Sequence, residues 1–153
     1  MPLFLSTHIN KVDKKGRVSV PSGFRGALAD QTFQGVVLCR SNNHKCLEGF
    51  AYSYMEELGE RLDNFDLFSS EQDNLATAIF AEAVQLPLDK DGRVILTPAL
   101  IDFATIDDQA AFVGLGQKFQ IWNPEQLEKR QIEAREIVKS KGLTVPKTLG
   151  ERS

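Results

Sequence analysis

The sequence predicts a β-rich α+β fold in which two tandem repeats complete one another about a pseudo-twofold axis. Three observations carry this reading. Asp13-Lys14-Lys15-Gly16-Arg17-Val18 recurs as Asp89-Lys90-Asp91-Gly92-Arg93-Val94, 76 residues later. Each copy follows an apolar stretch with strand character. Each precedes a short strand-like run, then a proline and a helix-like run (Val18-Ser19-Val20-Pro21 and Val94-Ile95-Leu96-Thr97-Pro98). The period is too long for a solenoid unit. A half of roughly 50 residues buries too little surface to fold by itself. The natural partner of each half is therefore the other half, with interleaved strands and peripheral helices.

The elements follow in order. Thr7 to Val12 alternates, imperfectly, as a strand does. Asp13 to Gly16 is a turn, Gly16 supplying a positive φ, and Arg17 to Val20 is the return strand, so the motif forms a hairpin tip. Pro21 to Leu28 predicts a short helix with Phe24 and Leu28 at i, i+4. Val36 to Cys39 is a buried strand paired with Lys45 to Phe50. Ser53-Tyr54-Met55-Glu56 has the pattern of a capping box. It opens a helix to Leu62, with Met55, Leu58 and Leu62 on one face. Asp63 to Ser70 connects the repeats. A helix from about Glu71 places Leu75, Ala78, Ile79, Glu82 and Ala83 on one face. The second repeat then runs as strand Val84–Leu88, turn Asp89–Gly92 and strand Arg93–Leu96. A helix follows, capped by Thr97 with Pro98 at its first position. Ala110–Val113 matches Val36–Cys39, and Lys118–Trp122 matches Cys46–Phe50. Asn123-Pro124 starts the last helix, supported by Glu125 and Lys129 at i, i+4. Gly142 ends it, and a loose tail follows. The modules are 7–53, a helical connection 54–82, the second repeat 83–126, and the C-terminal helix and tail 127–153.

Composition narrows the function classes. The chain of 153 residues is 42% hydrophobic and 25% charged, an ordinary globular balance. No apolar run approaches the roughly 18 residues of a membrane span. The start lacks a basic n-region and a long apolar core, so no signal peptide is expected and the cytoplasm is the expected home. The net charge of −3 argues against a generally sticky polyanion binder. Its distribution says more: residues 1–48 carry +4 and the remainder −7, with four bases and one acid between Lys11 and Arg17. An acidic body with a concentrated basic loop suits local docking onto an anion. Cys39 and Cys46 flank a turn and could face each other across a hairpin. In a reducing compartment two free, semi-buried thiols are expected. With His44 they offer three ligands at a spacing that matches no common zinc pattern. No metal, cofactor or small-molecule substrate is expected.

Val12 to Arg25 (VDKKGRVSVPSGFR), Leu88-Asp89-Lys90-Asp91-Gly92-Arg93-Val94 and Lys118-Phe119-Gln120-Ile121-Trp122 resemble the MraZ family over nearly the whole chain. The resemblance implies two AbrB-like β-hairpin repeats forming one swapped-hairpin barrel. It implies a bacterial, nucleoid-associated transcription regulator that assembles into a homo-oligomeric ring. It further implies binding to direct repeats of double-stranded DNA at the promoter of the division and cell-wall gene cluster, with repression the expected sign.

The motif suits that task chemically. A hairpin tip is narrow enough for a major groove about 12 Å wide. Arg17 presents a planar fork for guanine or phosphate. Lys14 and Lys15 neutralise phosphates with little geometric demand, and Lys11 stands just behind. Gly16 permits the turn. Asp13 is expected to accept turn N–H groups or pair with Arg17, fixing its direction. In the second copy Lys90 and Arg93 are the candidates, with Asp89 and Gly92 in support. Asp91 replaces Lys15 there and cancels the charge, so that copy is expected to be largely structural. A two-carboxylate enzyme site from Asp13 and Asp89 is disfavoured, because an arginine four residues on lowers both pKa values rather than splitting them. Neither histidine lies in a known catalytic motif. An antitoxin-like or purely structural oligomerisation module is the alternative; antitoxins of that kind lack the second repeat.

Overall fold

The computed structural model describes residues 2–66 and 68–148. In chain order the elements are β1 (Thr7–Lys11), β2 (Arg17–Ser19), α1 (Ser22–Ala27), β3 (Gly35–Arg40), β4 (Leu47–Phe50), α2 (Tyr52–Leu62), α3 (Ser70–Ala76), β5 (Val84–Pro87), β6 (Arg93–Ile95), α4 (Pro98–Ala104), β7 (Gln109–Gly114), β8 (Phe119–Trp122) and α5 (Pro124–Lys141). The six-stranded antiparallel sheet has the order β1-β7-β8-β4-β3-β5, and β2 pairs with β6 in a two-stranded ribbon. Exchanging the repeats reverses the first order onto itself. The pseudo-twofold axis therefore runs between β4 and β8, where Glu48 opposes Gln120, and between β2 and β6, where Val18 opposes Val94.

The halves are interleaved. β1 of the first repeat pairs with β7 of the second, β5 of the second with β3 of the first, and β2 with β6. Each Asp-x-x-Gly turn closes as a tight loop but does not cap a two-stranded hairpin. Beyond the Val12–Val18 bridge, β1 and β2 part to join strands of the other repeat. This exchange gives segments with too little apolar surface of their own a shared core.

That core packs the inner face of the large sheet (Val36, Leu38, Leu47, Phe112, Phe119, Ile121) against Val18 and Val94 of the ribbon and against α1 and α4. Phe24 of α1 lies at its centre. Its ring stands edge-on to Phe4 at 5.2 Å and tilted against Phe119 at 5.3 Å. Two smaller clusters occupy the outer face. One (Val37, Cys39, Phe50, Met55) lies under α2, the other (Cys46, Ala111, Val113, Trp122, Leu127) under α5. Met55 and Leu127, 72 residues apart, fill equivalent places.

Several sequence expectations change. Ser53 does not cap α2. The helix begins earlier, with Ala51 as N-cap and no side-chain cap, and the Ser53 N–H donates instead to Gln31 Oε1 at 3.1 Å. The helix from Ser70 is capped by Ser69 and passes into a π-helical turn, Thr77–Ala81. The wider turn breaks the 3.6-residue phase. Phe80 joins Ile79 and Ala83 against the outer cluster, while Leu75 is exposed. Cys39 and Cys46 do not face each other. The register sets Cys39 opposite Glu48, and the Ser41 N–H donates to the Cys46 carbonyl. Both thiols are free and buried, and burial pushes them up to about 11 and about 12. Ile106 belongs to the main core, and Ile101 and Phe103 pack against it. Leu67 and residues 149–153 of the tail lie outside the described residues. Thr97, Asn123 and Gly142 cap as expected, Gly142 with φ +60°.

Candidate nucleic-acid interface

The two turns are built alike. The Asp13 N–H donates to the Arg17 carbonyl at 3.0 Å, and the Gly16 N–H to the Asp13 carbonyl at 3.0 Å. The Asp13 carboxylate then organises the loop. Oδ1 accepts from the Lys15 and Arg17 N–H groups, both at 2.9 Å, and Oδ2 accepts from Arg17 Nε at 2.6 Å. Asp89 repeats the pattern: Oδ1 accepts from the Asp91 and Arg93 N–H groups at 2.8 and 2.9 Å, and Oδ2 from Arg93 Nε at 3.1 Å. Backbone N–H donors, the largest cause, and the arginines hold both carboxyls below the usual 3.8, against some desolvation. Both aspartates are shifted in the same direction, each by the donors of its own turn.

These exposed ion pairs add little stability. Their effect is directional. Asp13 engages Nε of Arg17, and the terminal nitrogens of Arg17 have no protein partner among the described residues. Arg93 is held twice, its Nη2 lying 3.3 Å from Asp91 Oδ2 as well. The second turn is thus quenched where the first is open.

The ribbon sets where the arginines point. Val18 and Val94 are 1% exposed and face the core. Strand alternation therefore turns Arg17 and Ser19 of β2, and Arg93 and Ile95 of β6, to the outer side. Arg17 and Arg93 share one face. With Lys11, Ser19, Asp108 and Gln109 they line a shallow groove. Lys14, Lys15 and Lys90 are exposed on the flanking loops. Asn10 Nδ2 donates to the Ser19 carbonyl at 2.7 Å and ties β1 to the ribbon. Gly16 and Gly92 are buried, with φ +84° and +75°. Their close approach is to the other repeat: the Leu96 N–H donates to the Gly16 carbonyl at 2.8 Å, and the Val20 N–H to the Gly92 carbonyl at 3.0 Å.

Ser19, Asn10, Ile95, Asp108 and Gln109 were not singled out from the sequence. Ser19, Asp108 and Gln109 line the groove, while Asn10 and Ile95 lie on strands that pair across the repeats, and no local pattern encodes that pairing. The alternation of Val18 with Arg17 and Ser19 was the one available signal.

A family model described as "MraZ protein, putative antitoxin-like" matches residues 79–142. Transcriptional regulator MraZ of Rickettsia canadensis (strain McKiel) is 43% identical over 145 residues, spanning 95% of this chain and 97% of its own length. The chain belongs to the MraZ family. A second MraZ relative, from Gluconacetobacter diazotrophicus, is 42% identical over 149 residues, covering 95% of this chain and 93% of its own. MraZ of Rickettsia akari (strain Hartford) is 43% identical over 145 residues. These MraZ proteins are named as transcriptional regulators, not as enzymes, and the chain is a transcription regulator of that family. Among the described residues no helix is long and apolar enough to cross a membrane.

Proposed function

We propose that this chain is a sequence-specific DNA-binding regulator that presents the outer face of the β2–β6 ribbon to double-stranded DNA. The observation that carries this is Arg17 and Arg93 on one outward face of a two-stranded ribbon, with lysines on both flanks. A two-stranded ribbon fits a major groove, and an arginine with free terminal nitrogens can bind guanine O6 and N7 bidentately. Lys14 and Lys15 meet phosphates, which sets position and salt dependence rather than sequence. Lys11 supports them. Arg93 and Lys90 take the weaker share, because Asp91 and Asp89 compete for their charge.

One face of this size reads few base pairs. Repeated DNA boxes met by several copies in a ring would multiply a weak contact. The proposed target is therefore a set of direct repeats at the promoter of the division and cell-wall gene cluster, with repression from a nucleoid-associated cytoplasmic pool. The test is a gel shift of the purified protein on its own upstream promoter DNA across a salt series. A retarded complex that survives competitor DNA and weakens steeply with salt is expected. Indifference to the box sequence would refute specific recognition and leave the antitoxin-like or structural module as the better reading.

A further inference from the structure

The ribbon turns four side chains outward. The register sets Arg17 opposite Ile95 and Ser19 opposite Arg93. Arg93 is the counterpart of Arg17 at the 76-residue repeat spacing, and by the same count Ile95 is the counterpart of Ser19. Both strands keep the arginine, but its companion differs: a hydroxyl on one strand, a branched hydrocarbon on the other. Strand alternation fixes this placement, because Val94 and Leu96 on either side of Ile95 are 1% exposed and take the inward positions. Ile95 itself is 56% exposed. A single exposed isoleucine is ordinary on a protein surface. This one stands on the face proposed to meet DNA, directly across from the arginine whose terminal nitrogens are open.

The two ends of the ribbon therefore differ in chemistry. At one end Arg93 is engaged by Asp89 and Asp91, and the neighbouring Ser19 carbonyl accepts from Asn10 Nδ2 at 2.7 Å. At the other end Arg17 is held, among the described residues, only through Nε, and Ile95 adds an apolar surface beside its fork. Side chains directly opposed on an antiparallel pair have Cβ atoms about 4.5–5.5 Å apart. Successive bases along one DNA strand rise about 3.4 Å. Arg17 and Ile95 can therefore reach neighbouring bases at once. The major-groove edge of thymine carries a C5-methyl group, an apolar mark that the other three bases lack. Isoleucine is branched at Cβ and stiff about χ1, so it loses little freedom when it is covered.

We propose that Ile95 reads the C5-methyl of a thymine next to the guanine that Arg17 takes. Its role is specificity alone. It carries no charge, so it acts on base choice and leaves the salt dependence to the lysines. Ser19 puts a hydroxyl at the equivalent place and does not repeat the contact. The Arg17–Ile95 end of the ribbon then selects a thymine beside a guanine, while the Arg93–Ser19 end serves mainly to orient the face. This rests on the DNA reading above and names a base that the face selects.

The test is a gel shift on the upstream promoter DNA prepared in two forms, one with thymine and one with uracil throughout, which differ only in that methyl group. Wild type, Ile95→Ala and Ile95→Ser are compared, with circular dichroism as a control for folding. Wild type is expected to bind the thymine form more tightly, by about fourfold for each engaged box, the weight of one buried methyl group. Both variants are expected to bind the two forms equally and to keep the wild-type salt slope. Ile95→Ser gives the second strand the residue of the first, and it decides the matter if Ile95→Ala disturbs the ribbon. A wild type that retards neither form specifically would overturn the DNA reading itself. Specific binding that is blind to the methyl group would leave that reading standing and overturn the role of Ile95. A thymine preference that survives in both variants would show that the methyl group is sensed elsewhere, and would overturn it too.

Discussion

Leu96 and Gly16 belong to different repeats, yet the Leu96 N–H donates to the Gly16 carbonyl at 2.8 Å. Its counterpart is Val20 to Gly92 at 3.0 Å. Each cation-bearing turn is thus held by the half it does not belong to.

The two glycines should differ in tolerance. A Cβ on Gly16 would lie 2.5 Å from the Leu96 carbonyl oxygen, which is backbone and cannot swing away. A Cβ on Gly92 would meet the Arg25 side chain at 2.7 Å, a flexible obstacle. Both positions have positive φ, at about 1–2 kcal/mol for an L-residue. Gly16→Ala should therefore lose clearly more stability than Gly92→Ala in urea denaturation. Equal losses would mean that the backbone approach at Gly16 relaxes freely.

Arg17→Ala should abolish sequence-specific retardation in a gel shift while leaving circular dichroism unchanged. A bidentate guanine contact contributes about 1–3 kcal/mol of discrimination at each site, and several subunits multiply it. Arg93→Ala should cost less, because Asp89 and Asp91 already engage that guanidinium. An undiminished shift for Arg17→Ala would remove Arg17 from the recognition surface.

The loop lysines should govern salt dependence. Changing Lys14 and Lys15 together to Ala should reduce the log K against log salt slope by about 2 per engaged loop, at roughly 0.9 per phosphate. Lys90→Ala should change it little. Asp91→Lys should strengthen binding, since it removes the 3.3 Å contact to Arg93 and a repulsive carboxylate at once. Equal slopes for Lys14→Ala and Lys90→Ala would mean that both loops meet DNA alike.

Asp13 and Asp89 should titrate below 3.8 in the folded protein, because backbone N–H groups and the arginines stabilise the carboxylates. A depressed carboxyl contributes stability that is present above the unfolded value and is lost as pH falls through the folded one. The turns should hold at pH 5 and loosen only below 3.8. NMR titration of the carboxyl carbons would read this directly. A midpoint at or above 3.8 for either residue would show that the turn bonds do not persist in solution.

Much of this arrangement was legible because it is written locally and twice. Asp, Gly and Arg at fixed offsets specify a turn whatever surrounds it, and Thr97-Pro98 and Asn123-Pro124 announce helix starts through capping chemistry. Partner choice was not local. Nothing near Val18 says that it will oppose Val94 rather than a strand of its own repeat, so the shared face of Arg17 and Arg93 emerged only from the assembled fold. The π-helical turn at Thr77–Ala81 escaped for a related reason: a periodic count assumes constant pitch, and packing of Phe80 against the outer cluster imposes another. The Ser53 pattern misled because β4 ends at Phe50 and Ala51 already serves as the N-cap, so Ser53 falls inside the first turn of α2.

Glu48 and Gln120 meet directly across the pseudo-twofold axis, both 8% exposed. Gln120 Nε2 donates to the carboxylate at 3.1 and 3.2 Å, Lys118 lies 3.0 Å from it, and Gln120 Oε1 accepts from Trp122 Nε1 at 2.8 Å. Two identical chains in this arrangement would have to place the same residue on both sides. Two glutamates would bring like charges together in a poorly hydrated site, and two glutamines would leave no anion for Lys118. A single covalent chain escapes that constraint. Once fused, the halves could diverge at their own centre, with one side acid and the other amide. The same freedom allows one turn to keep two lysines while the other exchanges one for aspartate.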